Sequence, residues 1–136
     1  MINDKAILLV EDDDVDAKTV RRALRDLNVS NPLDRTSDGA EALAYLRDTS
    51  HAAPGLILLD LNLPVMSGIE LLQSVKADPR LRRIPVVVLT TSRLEMDKLA
   101  TFELSVAGYM VKPVDYIKFV EVVRTIDLYW SLSQTP

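Results

Sequence analysis

The feature that most constrains this chain is a run of aliphatic residues ending in one carboxylate, Leu56-Ile57-Leu58-Leu59-Asp60, followed by Leu61-Asn62-Leu63-Pro64. Such a run offers no polar face to water. As a strand it must be covered on both sides, which is the situation of a strand inside a parallel sheet. Asp60 then stands at the C-terminal end of its strand, the edge where open α/β sheets place their ligand sites. Pro64 has no N–H to give to a ladder, and Ser67-Gly68 supplies turn chemistry, so the chain leaves the sheet at this point.

The same grammar recurs along the chain. Ala6-Ile7-Leu8-Leu9-Val10 is a second aliphatic run, and it ends in four acids, Glu11-Asp12-Asp13-Asp14. Residues 14–28 turn helical, with Val15, Val20, Ala23, Leu24 and Leu27 on one face and Lys18, Arg21, Arg22 and Arg25 elsewhere; Asp13 or Asp14 can cap the helix. Residues 32–36 form a short, weak strand, Ser37-Asp38-Gly39 a turn, and residues 40–48 a helix with Ala40, Leu43, Ala44 and Leu46 apolar. A polar loop over 49–55 leads into the central strand. A helix over 69–77 stops ahead of Asp78-Pro79, because the residue before proline resists the helical conformation. Residues 84–90 hold three consecutive valines, favour the pleated state and end in Thr90, Thr91 and Ser92. A helix from Glu95 to about Leu104, a fifth strand over 107–111 ending in Lys112-Pro113, and a long last helix over 114–132 complete the pattern. Five strands alternating with five helices predict a parallel sheet covered on both faces. In such a sheet the acids, Asp60, Thr90 and Lys112 all reach one edge.

Composition narrows the chemistry. The chain has 136 residues, the size of one domain, and 48% of them are hydrophobic, enough for a full core. The absence of cysteine excludes disulfides, thiolate metal sites and thiol catalysis, and a single histidine, His51, excludes a multi-histidine metal site. A net charge of −4 argues against nonspecific binding to nucleic acid or to an anionic membrane. No apolar run approaches the roughly 18 residues of a membrane span, and the first residues lack a signal-peptide pattern. The cytoplasm is the expected compartment. We expect one domain over 1–136, with a core of about residues 5–132 and no output domain.

Glu11, Asp12 and Asp60 on one rim would repel one another unless a cation joined them. Oxygen-only ligands suit Mg²⁺ or Mn²⁺ rather than zinc. With the Thr90 hydroxyl and the Lys112 ammonium added, the rim can hold a phosphoryl group, and Asp60 becomes a candidate nucleophile. Each piece taken singly has a plain structural explanation, such as a helix cap, a loop cap, a strand end or a turn. The weight lies in their conjunction, in this order and at one edge.

Leu9-Val10-Glu11-Asp12, Leu59-Asp60-Leu61-Asn62-Leu63-Pro64 with Gly68, Leu89-Thr90-Thr91 and Gly108-Tyr109-Met110-Val111-Lys112-Pro113 together resemble a receiver domain of two-component signalling. The resemblance implies a flavodoxin-like doubly wound (βα)5 sandwich whose five-stranded parallel sheet has the order 2-1-3-4-5. It implies Asp60 as phosphoacceptor and Asp12 as direct metal ligand, with Glu11 acting through water and the Asn62 backbone carbonyl as a further ligand to Mg²⁺. Thr90 and Lys112 match the switch hydroxyl and the active-site lysine, and Tyr109 the aromatic switch position. Asn62 and Thr91 match positions that tune dephosphorylation. Four acids follow Val10, so Asp13 competes with Asp12 as ligand, and Glu11 departs from the more common Asp at the first position.

The resulting expectation is a single-domain response regulator, not an enzyme in its own right beyond its own phosphotransfer and autodephosphorylation. It would be phosphorylated by a sensor histidine kinase and would change conformation around the fourth helix, fifth strand and fifth helix. The wording of its motifs and Trp130 resemble the stand-alone regulators of bacterial phytochrome-type kinases. The alternatives are an unphosphorylated interaction module of the same fold and, less favoured for want of a cap insertion, an aspartyl-phosphate hydrolase. In the last helix Phe119, Val123, Ile126 and Trp130 make a core stripe. Ile117, Val120, Val122, Leu128 and Tyr129 fall off it, which suggests a homodimer face; the alternative is a broad core face with scattered exposed apolar residues.

Overall fold

The structure, a computed structural model, describes residues 5–26, 28–90, 93–102, 104–111, 117–118 and 121. The strands are β1 (Ile7–Val10), β2 (Leu33–Thr36), β3 (Leu56–Asp60), β4 (Val86–Thr90) and β5 (Gly108–Val111). Between them run α1 (Asp14–Asp26), α2 (Gly39–Arg47), α3 (Gly68–Ala77) and α4 (Arg93–Ala100). All strand pairs are parallel and the order is β2-β1-β3-β4-β5, as the alternation and the resemblance require.

The aliphatic runs behave as two-sided strands. β1, β3 and β4 are buried along their whole length. Leu8, Val10, Ile57, Leu59, Val86 and Val88 pack with α2, α3 and Leu99 of α4. Their alternates Ile7, Leu9, Leu56, Leu58, Val87 and Leu89 pack with Ala17, Val20, Ala23 and Leu24 of α1. The two-residue period of the strand thus builds two cores, one on each face. β2 is the half-covered edge, with Asp34 exposed, which accounts for its weak sequence signal.

Several expected boundaries shift. Val15 is 72% exposed and does not join the α1 stripe; at about 100° per residue it lies about 140° around the helix from Val20. In α2, Ala42 replaces Ala40 and Ala44 among the buried residues. α4 stops at Ala100 rather than near Leu104. There the amides of Thr101 and Phe102 bond three residues back, and the Thr101 hydroxyl donates to the Lys98 carbonyl at 2.6 Å. Such tight turns and local hydroxyl bonds end a helix. The ladder of the fourth strand begins after Pro85, which has no N–H to donate. The expected last helix falls mostly outside the described residues, as do Thr91, Lys112, Val120, Val122, Leu128 and Tyr129. Ile117 is described, helical and 70% exposed.

The turn from β3 into α3 is tightly built. Ser67 and Glu70 form a reciprocal capping box on α3. The Gly68 amide donates to the Leu61 carbonyl at 3.0 Å. A Cβ on Gly68 would lie 2.5 Å from both the Asp60 carbonyl oxygen and the Leu61 Cα, so only glycine lets the helix start this close to the strand end. Gly68→Ala is expected to lower stability by about 3 kcal/mol through overpacking against backbone that cannot yield. A urea denaturation midpoint equal to that of the wild type would contradict it.

Candidate functional site

The site is assembled from the C-terminal ends of neighbouring strands. Val10 of β1 pairs with Leu59 of β3, so the next residues, Glu11 and Asp60, stand side by side. Both are buried, whereas Asp12, one step out along the loop, is exposed. One carboxylate oxygen from each of Glu11, Asp12 and Asp60 lies within 4.8 Å of the others. The Asn62 backbone N–H donates to Asp60 Oδ1 at 3.0 Å and fixes the rotation of that carboxylate. The Asp13 N–H donates to Glu11 Oε2 at 3.3 Å.

Three carboxylates gathered this closely, two of them out of water, are costly as a like-charged set. A divalent cation relieves both the repulsion and the desolvation. The donors are all hard oxygens, as Mg²⁺ and Mn²⁺ prefer. Oxygens around one octahedral Mg²⁺ with bonds of ~2.1 Å stand about 3.0 Å apart when adjacent and about 4.2 Å apart when opposite, so side-chain adjustment, or a bridging water for one of the three, brings this cluster onto a single ion. The residues therefore fit such an ion.

Asp12 and Asp13 differ in what the helix that follows asks of them. Asp13 Oδ1 accepts the amides of Val15 at 2.8 Å and Asp16 at 3.0 Å, and its carbonyl accepts from Ala17. This is an N-cap, with the carboxylate turned to the orphan amides of α1. Asp12 is the acid that remains with Glu11 and Asp60.

Thr90 ends β4 and is fully buried. Strand alternation sets it on the same face as Val86 and Val88, the side covered by α4. There its hydroxyl donates to Glu95 Oε2 at 2.7 Å. Glu95 is a site neighbour that sequence inspection passes over, because a Glu in the first turn of a helix is ordinary. Tyr109 on β5 is 57% exposed, in an outward position. Lys112 and Thr91 lie outside the described residues.

The acidic loop is also held from the side. Arg35 of β2 donates through Nε to the Glu11 carbonyl at 3.0 Å and through a terminal nitrogen to Asp14 at 2.7 Å. Sequence inspection gives no reason to single out this arginine from the chain's other basic residues.

With this geometry in view, the comparisons with known proteins are decisive. The response regulator receiver domain family matches residues 7–124. The chain belongs to that family. The receiver domain is 41% identical over 135 residues to the response regulator Rcp1 of Synechocystis sp., covering 96% of this chain and 92% of that protein. Among solved structures it is similar to the bacteriophytochrome response regulator RtBRR, with a TM-score of 0.81 and 44% identity over 88% of this chain and 76% of that one. It also resembles the phosphorylated cyanobacterial phytochrome response regulator RcpA, at TM-score 0.78 and 40% identity over 96% of each chain. The Mn²⁺-bound form of Rcp1 matches at TM-score 0.76 and 40% identity over 97% of each chain.

The different duties of neighbouring acids give a measurable contrast. Asp13→Ala in the metal-free receiver domain should cost about 1 kcal/mol of stability through the lost cap. Asp12→Ala should leave stability unchanged or raise it, because it thins a like-charged cluster. Urea denaturation of the two variants checks the order, and a larger loss for Asp12→Ala would contradict it.

Proposed function

We propose that this receiver domain is a phosphorylation switch in which Asp60 accepts a phosphoryl group from the phosphohistidine of a sensor histidine kinase. The observation that carries the proposal is the gathering of Glu11, Asp12 and Asp60 at the strand rim, their oxygens within 4.8 Å. In the transfer a carboxylate oxygen of Asp60 attacks phosphorus and the P–N bond to the kinase histidine breaks. The bonding pair leaves with the imidazole, which takes a proton from solvent, and Asp60 becomes a mixed anhydride.

Asp12, Asp60, the Asn62 carbonyl and, through water, Glu11 would hold Mg²⁺ or Mn²⁺, which supplies positive charge against the phosphoryl oxygens. The Asn62 N–H keeps the Asp60 carboxylate in a fixed rotation for attack. Lys112 is assigned the second positive charge on the strength of the resemblance alone. Asn62 and Thr91 are assigned to tuning the hydrolysis of the anhydride on the same ground. The Mn²⁺-bound form of Rcp1 and the phosphorylated form of RcpA support both the cation and the modification.

The readout follows from Thr90. A hydroxyl proton has one acceptor at a time, and in the present structure that acceptor includes Glu95. Once Asp60 carries phosphate, Thr90 turns to a phosphoryl oxygen, leaves Glu95, and makes room for Tyr109 to turn inward. The surface around α4, β5 and the last helix changes with it. The sequence relatives favour a kinase of the phytochrome type as the phosphodonor. A homodimer formed through the last helix, with Ile117 already exposed, would carry the signal onward. We place the domain in the cytoplasm; no helix among the described residues is long and apolar enough to cross a membrane. An interaction module that never takes up phosphate would have no use for three gathered carboxylates, which weighs against that alternative.

With a small-molecule phosphodonor and Mg²⁺, Asp60→Asn should abolish phosphoryl incorporation seen by intact-mass measurement; wild-type labelling of the variant would contradict the assignment. Glu95→Ala removes the competing acceptor for Thr90. It should tighten binding of beryllium trifluoride, a phosphoryl mimic, by about fivefold, the equivalent of one hydrogen bond of ~1 kcal/mol. Unchanged or weaker binding would show that Glu95 does not oppose the switch.

A further inference from the structure

We propose that Arg35 is a positioning residue for the cation site, locking the acidic loop that delivers Glu11 and Asp12. It rests on the functional reading above in one respect, that these carboxylates hold a cation. Arg35 is the third residue of the edge strand β2 and pairs with Leu9 of β1. Its guanidinium spans the acidic loop: Nε donates to the Glu11 carbonyl at 3.0 Å, and a terminal nitrogen donates to the Asp14 carboxylate at 2.7 Å. Glu11 is also tied to β2 through its own N–H, which donates to the Thr36 carbonyl at 3.0 Å. Both backbone polar groups of a cation-site residue are therefore held by one edge strand.

The loop needs such a clamp because four successive acids, Glu11 to Asp14, repel one another and would spread. Asp13 is anchored by the α1 amides, and Asp14 by Arg35. Asp12, between the held backbone of Glu11 and the anchored Asp13, is left to reach the cation. A planar fork that reaches two acceptors at once is a property of arginine; lysine offers a single nitrogen on a flexible stem.

Geometry and charge predict opposite signs, which makes the proposal decidable. As a nearby positive charge, Arg35 repels a cation, so its removal would tighten metal binding. As a clamp, it preorganises two of the cation-site acids, so its removal weakens binding, as loss of an outer-sphere partner does. The test is a calorimetric titration of the metal-stripped full chain with Mn²⁺. Arg35→Gln should raise the Kd by about tenfold, and Arg35→Lys, which keeps the charge but not the fork, by about threefold. The Asp13 amide should exchange its proton faster in metal-free Arg35→Gln than in the wild type. An unchanged or lower Kd for Arg35→Gln overturns the proposal. Should that variant fail to fold, Arg35→Lys decides by the same criterion. Asp60→Asn separates the two levels. If it binds Mn²⁺ as the wild type does, the carboxylate site itself is wrong and the proposal falls with it. If it loses Mn²⁺ while Arg35→Gln keeps full affinity, only the role of Arg35 is wrong.

Discussion

Two carboxylates sealed side by side at the ends of apolar strands, with a third beside them, set the terms for the rest of this molecule. Glu11 and Asp60 are adjacent because β1 and β3 are adjacent and in register, and both are buried. Carboxylates at the edge of an aliphatic core need polar partners, and the surroundings are arranged around them. The Asn62 amide takes one Asp60 oxygen, the Asp13 amide meets Glu11, and Arg35 with Thr36 grips the Glu11 backbone. Even the glycine at the head of α3 belongs to this arrangement, since any Cβ there would press on the Asp60 carbonyl. The strain of like charge is what suits the rim to a divalent cation.

Much of the fold was legible because two-sided burial leaves a plain trace. The runs around Ile7, Leu56 and Val86 have no polar alternation, and each became a fully buried strand of the parallel sheet. Where burial is partial the trace fades. β2 is an edge strand with Asp34 exposed, and its four residues carry only a faint pattern. Helix ends were harder still. α4 stops at Ala100 because the Thr101 hydroxyl and 3₁₀-type amide bonds capture the last carbonyls, a competition among local hydrogen bonds that side-chain periodicity does not encode. Val15 belongs by character with the apolar residues of α1, but its angle around the helix carries it to solvent.

The site divides along the same line. That Glu11, Asp60 and Thr90 share a rim follows from strand order, and the sequence motifs carry that order. Which of Asp12 and Asp13 joins them is a matter of capping: α1 begins at Asp14, so its orphan amides claim Asp13. Arg35 and Glu95 could not be found in the sequence, since each acts through a contact made only in the fold, across 24 residues in one case and from the end of β4 to the first turn of α4 in the other. Both stand one bond behind the proposed chemistry, Arg35 on the cation side and Glu95 on the switch side.

The most direct measurement of the central claim is chemical trapping of the phosphorylated residue. The full chain would be incubated with a phosphodonor and Mg²⁺, reduced with borohydride, which converts an acyl phosphate to an alcohol, and mapped by peptide mass spectrometry. The account predicts conversion at Asp60 alone, and none when the divalent cation is chelated. Conversion at another carboxylate, or conversion at Asp60 that is indifferent to chelation, would contradict it.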